Sequence, residues 1–400
     1  MNPSLDRIVI LADESANWRI AGLGQLDRLV LALDEFAKSA TPESKIGIFI
    51  FWRPDMAIEK RWRPSDPRLT RCNILEFSES ALPGARVLNT RLLVKRSGLE
   101  TFLHDSASID LDHSIVNESA LWEKLWRQFD NIFREVQAQP ERESWRYVRH
   151  RSDIPRCERW LLRGSGKSRD GFVSRYLNRP ISRAVSQLLL KTSLTPNVWT
   201  LLITLFPVIG FLFLIRGDYF GFLVGAALYQ VHSILDGCDG EIARAKYLDS
   251  KKGPGLDALG DLIALLLFSL GLGLGLFGES VGFGVAAFIY LGESILSSLF
   301  IAGRLGPHAF DLLRRGPDAV VSSEHDESLR ASGGRIFGAK LTSLAFELTK
   351  RDVVFLTFLV LAALGLAQWI LHLLFVYAVA TMILLRRGRI ARRERNPAAI

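Results

Sequence analysis

The stretch LDGCDGEIARAKYLDSKKGPGLDALGD, residues 235–261, decides the fold, because it places four aspartates at helical spacing. Asp236 and Asp239 are three positions apart, and Asp257 and Asp261 are four apart, so each pair lies on one face of a helix. The connection between the two helices is short, which favours packing side by side. The spacing therefore predicts an acidic site that two neighbouring helices share.

A cation is expected in this site. Four carboxylates at the end of a membrane span repel one another and are costly to remove from water. Oxygen ligands alone favour Mg²⁺, Mn²⁺ or Ca²⁺ over zinc, and Arg244 can bind a phosphate with its planar fork. Small residues between the acids leave the backbone open to a ligand: Gly237, Gly240, Ala243, Gly253 and Gly260. The alternative, solvated acids that cap helix ends, is disfavoured by the paired spacing.

Long apolar runs begin at Leu194 and surround the acidic stretch. They are too long and uniform for surface helices and indicate membrane spans. Six spans are predicted, at residues 198–215, 219–235, 256–277, 281–302, 353–367 and 369–385. Basic residues collect in the links on one side of these spans and in the arginine-rich tail. This asymmetry predicts a multi-pass protein with both termini in the cytoplasm.

The region before the spans has a different pattern. Strand-like runs at 8–11 and 46–51 flank a helical pattern at 26–37, which predicts a βαβ unit and a parallel sheet. Runs at 73–77 and 85–94 are candidates to extend that sheet. The predicted fold is a cytoplasmic, Rossmann-like α/β domain followed by an all-α, six-helix transmembrane domain. Its parts are the α/β domain at 1–160, a linker with a juxtamembrane helix at 161–193, the transmembrane domain at 194–387 and a basic cytoplasmic tail at 388–400.

The juxtamembrane helix is predicted to be amphipathic. After Pro180 apolar residues recur at helical spacing, with Arg175, Arg179 and Arg183 on the other side. Such a helix before a span typically lies in the membrane interface, and an ordinary surface helix is the alternative. Gly271 and Gly275, within the third span, have a spacing that brings helices close, either between subunits or within one bundle.

Charge and cysteine usage exclude other classes. The formal net charge is +8, but the densest basic cluster directly follows an apolar run, where it anchors a span and meets anionic lipid. The expected partner is therefore the lipid bilayer and not nucleic acid. The three cysteines form no CxxC pair, so neither a disulfide framework nor a zinc site is predicted.

The aspartate pattern resembles the signature of the CDP-alcohol phosphotransferase family. That signature is Asp-x-x-Asp-Gly-x-x-Ala-Arg, eight residues, then Gly-x-x-x-Asp-x-x-x-Asp, and this chain matches it throughout. The resemblance implies that the four aspartates bind two metal ions, Mg²⁺ or Mn²⁺, and that Asp261 is the catalytic base. It also implies contacts to the CDP part of the donor from Asn197, Thr200, Gly240, Ala243, Arg244, Ser250 and Gly253.

The resemblance implies a reaction as well. An alcohol phosphate passes from a CDP-alcohol to a hydroxyl acceptor, CMP leaves and a phosphodiester forms. Arg304 is the candidate to bind a phosphorylated acceptor, although a basic residue there also serves topology. A homodimer is implied too. Two alternatives stay open: a phospholipid synthase that uses CDP-diacylglycerol, and a membrane scaffold with a vestigial site.

Residues 8–54 faintly resemble the start of sugar-nucleotide-type nucleotidyltransferases. The fused arrangement resembles inositol-phosphate cytidylyltransferase and di-inositol-phosphate-phosphate synthase proteins, which implies CDP-inositol and inositol phosphate as substrates. However, residues 12–18 after the first strand contain no glycine for a phosphate loop, and Asn89 and Thr90 stand where a metal-binding aspartate is expected. A degenerate domain that stabilises the enzyme or binds a partner is predicted. A bifunctional protein with an active cytidylyltransferase is the alternative.

Overall fold

The computed structural model describes residues 7–40, 45–54, 68–79, 82, 84–95, 99, 117–137, 144–163, 171–280, 285–315 and 350–395. The chain divides into two compact units. Unit 1 consists of Met1–Ser165 together with the short segments Leu190–Thr192 and Arg244–Tyr247. Unit 2 consists of Gly166–Leu189, Ser193–Ala243 and Leu248–Ile400.

Unit 1 is built on a parallel sheet, as the sequence predicts. Its strands are β1 (Arg7–Ala12), β2 (Arg19–Ile20), β3 (Leu23–Gly24), β4 (Ile46–Trp52), β5 (Cys72–Glu76), β6 (Arg86–Asn89), β7 (Leu92–Val94) and β8 (Trp145–Tyr147). Four of them form the main sheet in the order β5-β4-β1-β6, and all neighbours are parallel. Residues 8–12 of the central strand β1 are fully buried, which is typical of a sheet covered on both faces. The α/β prediction is confirmed.

The predicted run at 85–94 does not extend the sheet over its whole length. Its first half forms β6 beside β1, whereas β7 pairs antiparallel with β8 in a separate ribbon. The chain leaves the sheet after Asn89, where the Thr90 N–H donates to the Leu11 carbonyl at 3.0 Å. The Val148 N–H then donates to the Arg91 carbonyl at 2.8 Å, next to the antiparallel ribbon of β7 and β8.

Three helices of unit 1 are described: α1 (Gln25–Ala40), α2 (Glu118–Gln137) and α3 (Ile154–Arg163). The first follows the helical pattern predicted at 26–37. Asp34 on α1 is buried, and its Oδ1 accepts backbone hydrogen bonds from Thr70, Arg71 and Cys72 at 2.9, 2.6 and 3.1 Å. One carboxylate thereby fixes the start of β5 against α1, since hydrogen bonds to a charged acceptor are the stronger kind.

The three cysteines are free, in agreement with the sequence analysis. Burial raises the pKa of the Cys157 thiol to about 11 and that of Cys72 to about 12. Both thiols are therefore protonated near neutral pH, and a protonated thiol is neither a good nucleophile nor a metal ligand.

Unit 2 is helical throughout its described part. Its helices are α4 (Arg179–Leu189), α5 (Pro196–Ile203), α6 (Leu205–Leu214), α7 (Tyr219–Leu235), α8 (Gly237–Lys246), α9 (Gly253–Ser280), α10 (Val285–Arg315), α11 (Arg351–Ala363) and α12 (Ala367–Arg395). Each predicted span falls on one or two of these helices. The turn between the last two contains Gly365 at a φ of +72°, a conformation that glycine adopts without strain.

Membrane character is carried by the longest apolar helices. Among the described residues, three helical segments are long and apolar enough to cross a membrane: Pro196–Leu214, Gly253–Ser280 and Val285–Arg314. Large apolar side chains on them, such as Leu201 and Phe288, are more than two-thirds exposed, as lipid-facing residues would be. α7 has 17 residues and α11 has 13, which is short for a span. A helical membrane region is confirmed, and the count of six spans stays a prediction.

Aromatic packing holds the centre of unit 2 together. Tyr229 on α7, Phe268 on α9, and Phe355 and Phe358 on α11 are buried against one another. The Tyr229 and Phe268 rings are 4.8 Å apart, and the Phe268 and Phe358 rings stack at 4.8 Å. Such ring pairs add about 0.5–1.5 kcal/mol each beyond the area they bury. The three helices that carry the candidate site are thereby fixed to one another.

Gly271 and Gly275 serve this packing within the chain. A Cβ at Gly271 would lie 2.9 Å from the Phe211 ring, and one at Gly275 would overlap the Leu214 carbonyl. Both neighbours belong to α6, so the two glycines let α9 approach another helix of the same bundle. The homodimer is not tested by this contact and stays a prediction.

The juxtamembrane helix departs from the predicted pattern at one arginine. A π-helical turn at Ser174–Asn178 leads into α4, and Phe172, Tyr176 and Leu188 are each about two-thirds exposed or more. Arg179, however, is buried, and its Nη1 donates to Glu241 Oε1 at 3.1 Å. Arg179 therefore does not share an outward polar face with the other two arginines. Glu241 is fully buried, and a buried carboxylate needs a positive partner.

Candidate active site

The first half of the acidic stretch lies on a nearly continuous helical rod. Asp236 separates α7 from α8 but keeps helical dihedral angles (φ −57°, ψ −35°), and its N–H donates to His232 O at 2.9 Å. Asp239 is in the first turn of α8. The helix of the second predicted span therefore continues past its apolar part. Asp257 and Asp261 occupy the first turns of α9.

Three of the four aspartates come together around one arginine. Arg351, the first residue of α11, forms ion pairs with both Asp236 and Asp261. The Asp257 carboxylate lies near Asp236 and attracts the same guanidinium. We call Asp236, Asp257 and Asp261 the aspartate cluster. The cluster brings together the C-terminal end of α7 and the N-terminal ends of α9 and α11.

Sequence reasoning missed Arg351. The residue follows residues 316–349, which lie outside the described part, and it is 90 positions from Asp261. No local spacing relates it to the acids. Arg304, the sequence candidate for an acceptor contact, lies on α10, and its Nη1 donates to Tyr377 OH at 2.8 Å.

Asp239 has different partners. Thr200 Oγ1 donates to Asp239 Oδ2 at 2.7 Å, and the Gly240 N–H donates to Asp239 Oδ1. Two residues predicted to contact the CDP part of a donor therefore touch the second aspartate of the signature. Asp239 thus connects the acidic stretch to α5, the first of the two helices that form the first predicted span.

A second residue missed by sequence reasoning is His232. It lies on α7 one turn before Asp236 and is buried. One ring nitrogen of His232 and one carboxylate oxygen from each of Asp236 and Asp261 lie within 4.8 Å of one another. Among the described residues, these three form a group that can hold a metal ion. The four-residue spacing from His232 to Asp236 was the signal in the sequence.

The chemistry of this group fits a divalent cation. His232 Nδ1 lies 3.2 Å from the Ile203 carbonyl and carries the ring proton, because a carbonyl only accepts. The Nε2 lone pair has no hydrogen-bond partner among the described residues. An unsatisfied buried acceptor costs roughly 1–3 kcal/mol, and the nearby carboxylates add repulsion. A bound cation removes both costs.

The predicted CDP-binding residues gather in part at the start of α9. A Cβ at Gly253 would lie 3.2 Å from Ser250 Oγ and 3.9 Å from Asn197 Oδ1. Ser250 Oγ is buried and has no hydrogen-bond partner among the residues described. A glycine between two polar side chains leaves space for a ligand group to approach the backbone. Ala243 and Arg244 lie in the last turn of α8.

Unit 1 has its own expected site, at the carboxyl ends of β1 and β6. The strand order reverses between these strands, and ligands of open α/β sheets bind at such a point. Here Asp13 follows β1 and caps a 3-10 turn, Glu14–Asn17, by accepting from Ser15 N at 2.8 Å. Arg91 Nη2 donates to the other Asp13 oxygen at 2.8 Å.

This point of unit 1 is filled by the chain's own side chains. Ser15 Oγ and Thr90 Oγ1 are 2.6 Å apart, and both residues are fully buried. Asn89 Nδ2 donates to Tyr147 OH at 2.9 Å. The Asp13 carboxylate lies where backbone N–H groups would have to face a phosphate. This carboxylate already forms an ion pair with Arg91. The geometry agrees with the absence of a glycine-rich loop in the sequence.

Comparison with known proteins gives one family match, which lies in the helical part of the chain, and several similar proteins. The family model described as CDP-alcohol phosphatidyltransferase matches residues 193–304. A protein of Archaeoglobus fulgidus named bifunctional IPC transferase and DIPP synthase is 31% identical over 243 residues, which is 60% of this chain and 42% of that protein. Two further proteins with the same name are also similar to this chain. The protein of Thermococcus kodakarensis is 37% identical over 38% of this chain and 34% of its own length. The protein of Rubrobacter xylanophilus is 39% identical over 33% of this chain and 29% of its own length.

The matched parts span less than half the length of these relatives. The family match contains the whole acidic stretch, including the aspartate cluster, Asp239 and His232. The family resemblance inferred from the aspartate spacing is thereby confirmed. Residues 193–304 are a CDP-alcohol phosphatidyltransferase domain.

Proposed function

We propose that this chain is a metal-dependent transferase that moves an alcohol phosphate from a CDP-alcohol to a hydroxyl acceptor. The observation that carries the proposal is the convergence of Asp236, Asp257 and Asp261 at the ends of packed helices. A vestigial scaffold would have no reason to keep several carboxylates together at a cost in desolvation and repulsion.

The proposed reaction is a displacement at the β-phosphorus of the donor. The acceptor oxygen forms a new bond to that phosphorus, the bond to the bridging oxygen breaks, and CMP leaves with the electron pair. Asp261 accepts the proton of the acceptor hydroxyl. Asp261 is about one-third exposed, so a substrate hydroxyl can reach it from solvent. Because an ionised aspartate is a weak base, positioning must supply much of its effect.

We propose that Asp236, Asp239, Asp257 and Asp261 hold two cations, Mg²⁺ or Mn²⁺. When bound, such a pair neutralises a pyrophosphate and stabilises both the attacking and the leaving oxygen. Thr200 and Gly240 keep the Asp239 carboxylate in place, and Arg179 holds Glu241 in the following turn. We infer that Asn197, Ser250, Gly253, Ala243 and Arg244 receive the CDP part.

Arg351 has two roles in this proposal. Its guanidinium is the counter-ion of Asp236 and Asp261. With these acids neutralised by bound cations, the guanidinium would be available for a substrate phosphate, which a planar fork binds well. Arg351 is only one-quarter exposed, so the reaction site keeps this positive charge away from bulk water.

The substrates are inferred from the relatives. Their shared name contains both an IPC transferase and a DIPP synthase, and the sequence resemblance leads to CDP-inositol as donor and inositol phosphate as acceptor. We also propose a homodimer in the membrane with both termini in the cytoplasm. The exposed Lys251 and Lys252 lie between α8 and α9, and basic residues in short loops favour the cytoplasmic side of a membrane. They therefore support a site that faces the cytoplasm.

For unit 1 we propose a structural or partner-binding role rather than cytidylyl transfer. The Asp13–Arg91 ion pair fills the point of the sheet where a nucleotide would bind. Acquiring that activity would require removing the pair and building a phosphate loop from an acidic turn.

The function is tested by comparing two CDP-alcohol donors in separate reactions. Full-length protein in nanodiscs is given Mg²⁺ or Mn²⁺, labelled CDP-inositol or labelled CDP-diacylglycerol, and inositol phosphate, and CMP and phosphodiester are measured. We expect turnover with CDP-inositol. The variant Asp261→Asn keeps shape but removes the base and one charge, and it should lose about 10²–10⁴-fold in rate.

A phosphodiester formed only from CDP-diacylglycerol would replace the proposed donor with a lipid one. Turnover of Asp261→Asn within a few-fold of the parent protein would remove Asp261 from the mechanism. No turnover with any CDP-alcohol would support the scaffold alternative.

The role of Arg351 predicts opposite effects on metal binding and on catalysis. Arg351→Gln removes a cation that competes for Asp236 and Asp261, so Mn²⁺ affinity without substrate should rise several-fold, while kcat/KM should fall. Mn²⁺ binding is measured by electron paramagnetic resonance of the free ion. The matched control is Arg304→Gln, which should leave Mn²⁺ affinity unchanged. A weaker Mn²⁺ affinity in Arg351→Gln would contradict the competition.

The proposed role of unit 1 is tested in the full-length Asp261→Asn protein. This variant cannot consume a CDP-alcohol, so any that unit 1 makes would accumulate. With CTP and inositol phosphate we expect no release of pyrophosphate and no CDP-inositol by chromatography. Accumulation of CDP-inositol would show that unit 1 is an active cytidylyltransferase and that the chain is bifunctional.

A further inference from the structure

His232 stands out as a buried imidazole beside carboxylates. It is almost fully inaccessible, and it precedes Asp236 by one helical turn, so both side chains lie on the same face of α7. Asp261 approaches this face from α9, with its oxygen within 4.8 Å of the other two ligand atoms. A histidine in this place is not part of the aspartate signature.

The two ring nitrogens have separate surroundings. Nδ1 donates to Ile203 O at 3.2 Å, which fixes both the tautomer and the plane of the ring. Nε2 therefore carries a lone pair and has no partner among the described residues. A metal-binding histidine typically donates its other nitrogen to a carbonyl or carboxylate in this way.

A purely structural role does not account for this arrangement. A core histidine is stable when both nitrogens are satisfied or when the free one faces apolar atoms. Here one nitrogen of the ring lies in a small volume with one oxygen from each of two carboxylates, and these oxygens also carry lone pairs. Arg351 pairs with both carboxylates, whereas Nε2 has no partner among the described residues, and a carboxylate oxygen cannot satisfy it because both are acceptors. A cation bound by all three side chains would satisfy Nε2 as well.

We propose that His232 Nε2 is a metal ligand, which binds a divalent cation together with Asp236 and Asp261. The inference rests on the proposed function, since it concerns one of the cations assigned to that site. It changes the donor set from oxygen alone to nitrogen and oxygen. Imidazole is a better ligand for transition-metal ions than for Mg²⁺, so His232 favours Mn²⁺ over Mg²⁺ at this position.

The direct test is pulsed electron paramagnetic resonance of Mn²⁺ bound to the full-length protein in nanodiscs. One equivalent of Mn²⁺ is added without nucleotide, so that no substrate nitrogen contributes. Electron-spin-echo modulation from a directly bound ¹⁴N is expected. Labelling the histidines with ¹⁵N should replace this modulation by that of ¹⁵N, a comparison that needs no substitution.

Two variants assign the nitrogen to His232. His232→Asn keeps an N–H donor for Ile203 O but has no atom at the Nε2 position, and it should lose the nitrogen modulation. Its Mn²⁺ affinity should fall about tenfold or more, as loss of a ligand or its supporting partner does, whereas its Mg²⁺ affinity should fall less. The control His372→Gln removes a histidine that pairs with Glu293 at 2.8 Å and should keep the modulation.

The outcomes separate this inference from the proposed function. If Mn²⁺ binds to the parent protein without histidine modulation, and if Asp236→Asn abolishes that binding, the assignment of a nitrogen ligand is overturned and the carboxylate site remains. Modulation that survives in His232→Asn would likewise overturn the assignment. Mn²⁺ binding that is absent, or unaffected by Asp236→Asn, would contradict both the ligand and the metal-dependent function.

Discussion

The constraint on which unit 2 depends is the repulsion among carboxylates held in a small volume at the ends of apolar helices. Asp236, Asp257 and Asp261 come from two helices and are kept close by packing. Arg351 compensates the charges of Asp236 and Asp261. In the proposed function, divalent cations with a substrate pyrophosphate would replace that compensation.

The rest of the helical unit holds these acids in place. The aromatic contacts among Tyr229, Phe268 and Phe358 fix α7, α9 and α11 to one another. Nearer the site, the buried pair Arg179–Glu241 ties α4 to α8. Breaking such a pair by removing one partner typically costs about 3–5 kcal/mol, so it is a strong positional constraint. Rigid support of this kind is what positioned catalysis requires.

Much of this architecture could be predicted from local sequence patterns. Helical spacing located α1, and long apolar runs located most helices of unit 2. The spacing of the aspartates identified a domain that the family comparison confirms. The local pattern was sufficient because both halves of the signature lie at helix ends joined by a short link. The same reasoning found Asn89 and Thr90 where a metal-binding aspartate was expected, but it treated 85–94 as one run, whereas the strand beside β1 ends at Asn89.

Contacts between distant parts of the chain could not be predicted. Arg351 reaches Asp236 across 115 positions, and Arg179 turns inward only because Glu241 is buried opposite it. The path of the chain after β6 depended on β8, a strand from a later segment. His232 had a local signal, its one-turn spacing from Asp236, but only the fold shows that its ring lies close to Asp261 as well.

The most direct measurement of the central claim is the stoichiometry of the reaction under metal control. Purified protein is stripped with a chelator and given CDP-inositol and inositol phosphate, and CMP and phosphodiester are quantified as Mn²⁺ or Mg²⁺ is restored. The account predicts no product without metal, and equal amounts of CMP and phosphodiester once metal is added. Phosphodiester formation that survives exhaustive chelation, or CMP release without phosphodiester, would contradict it.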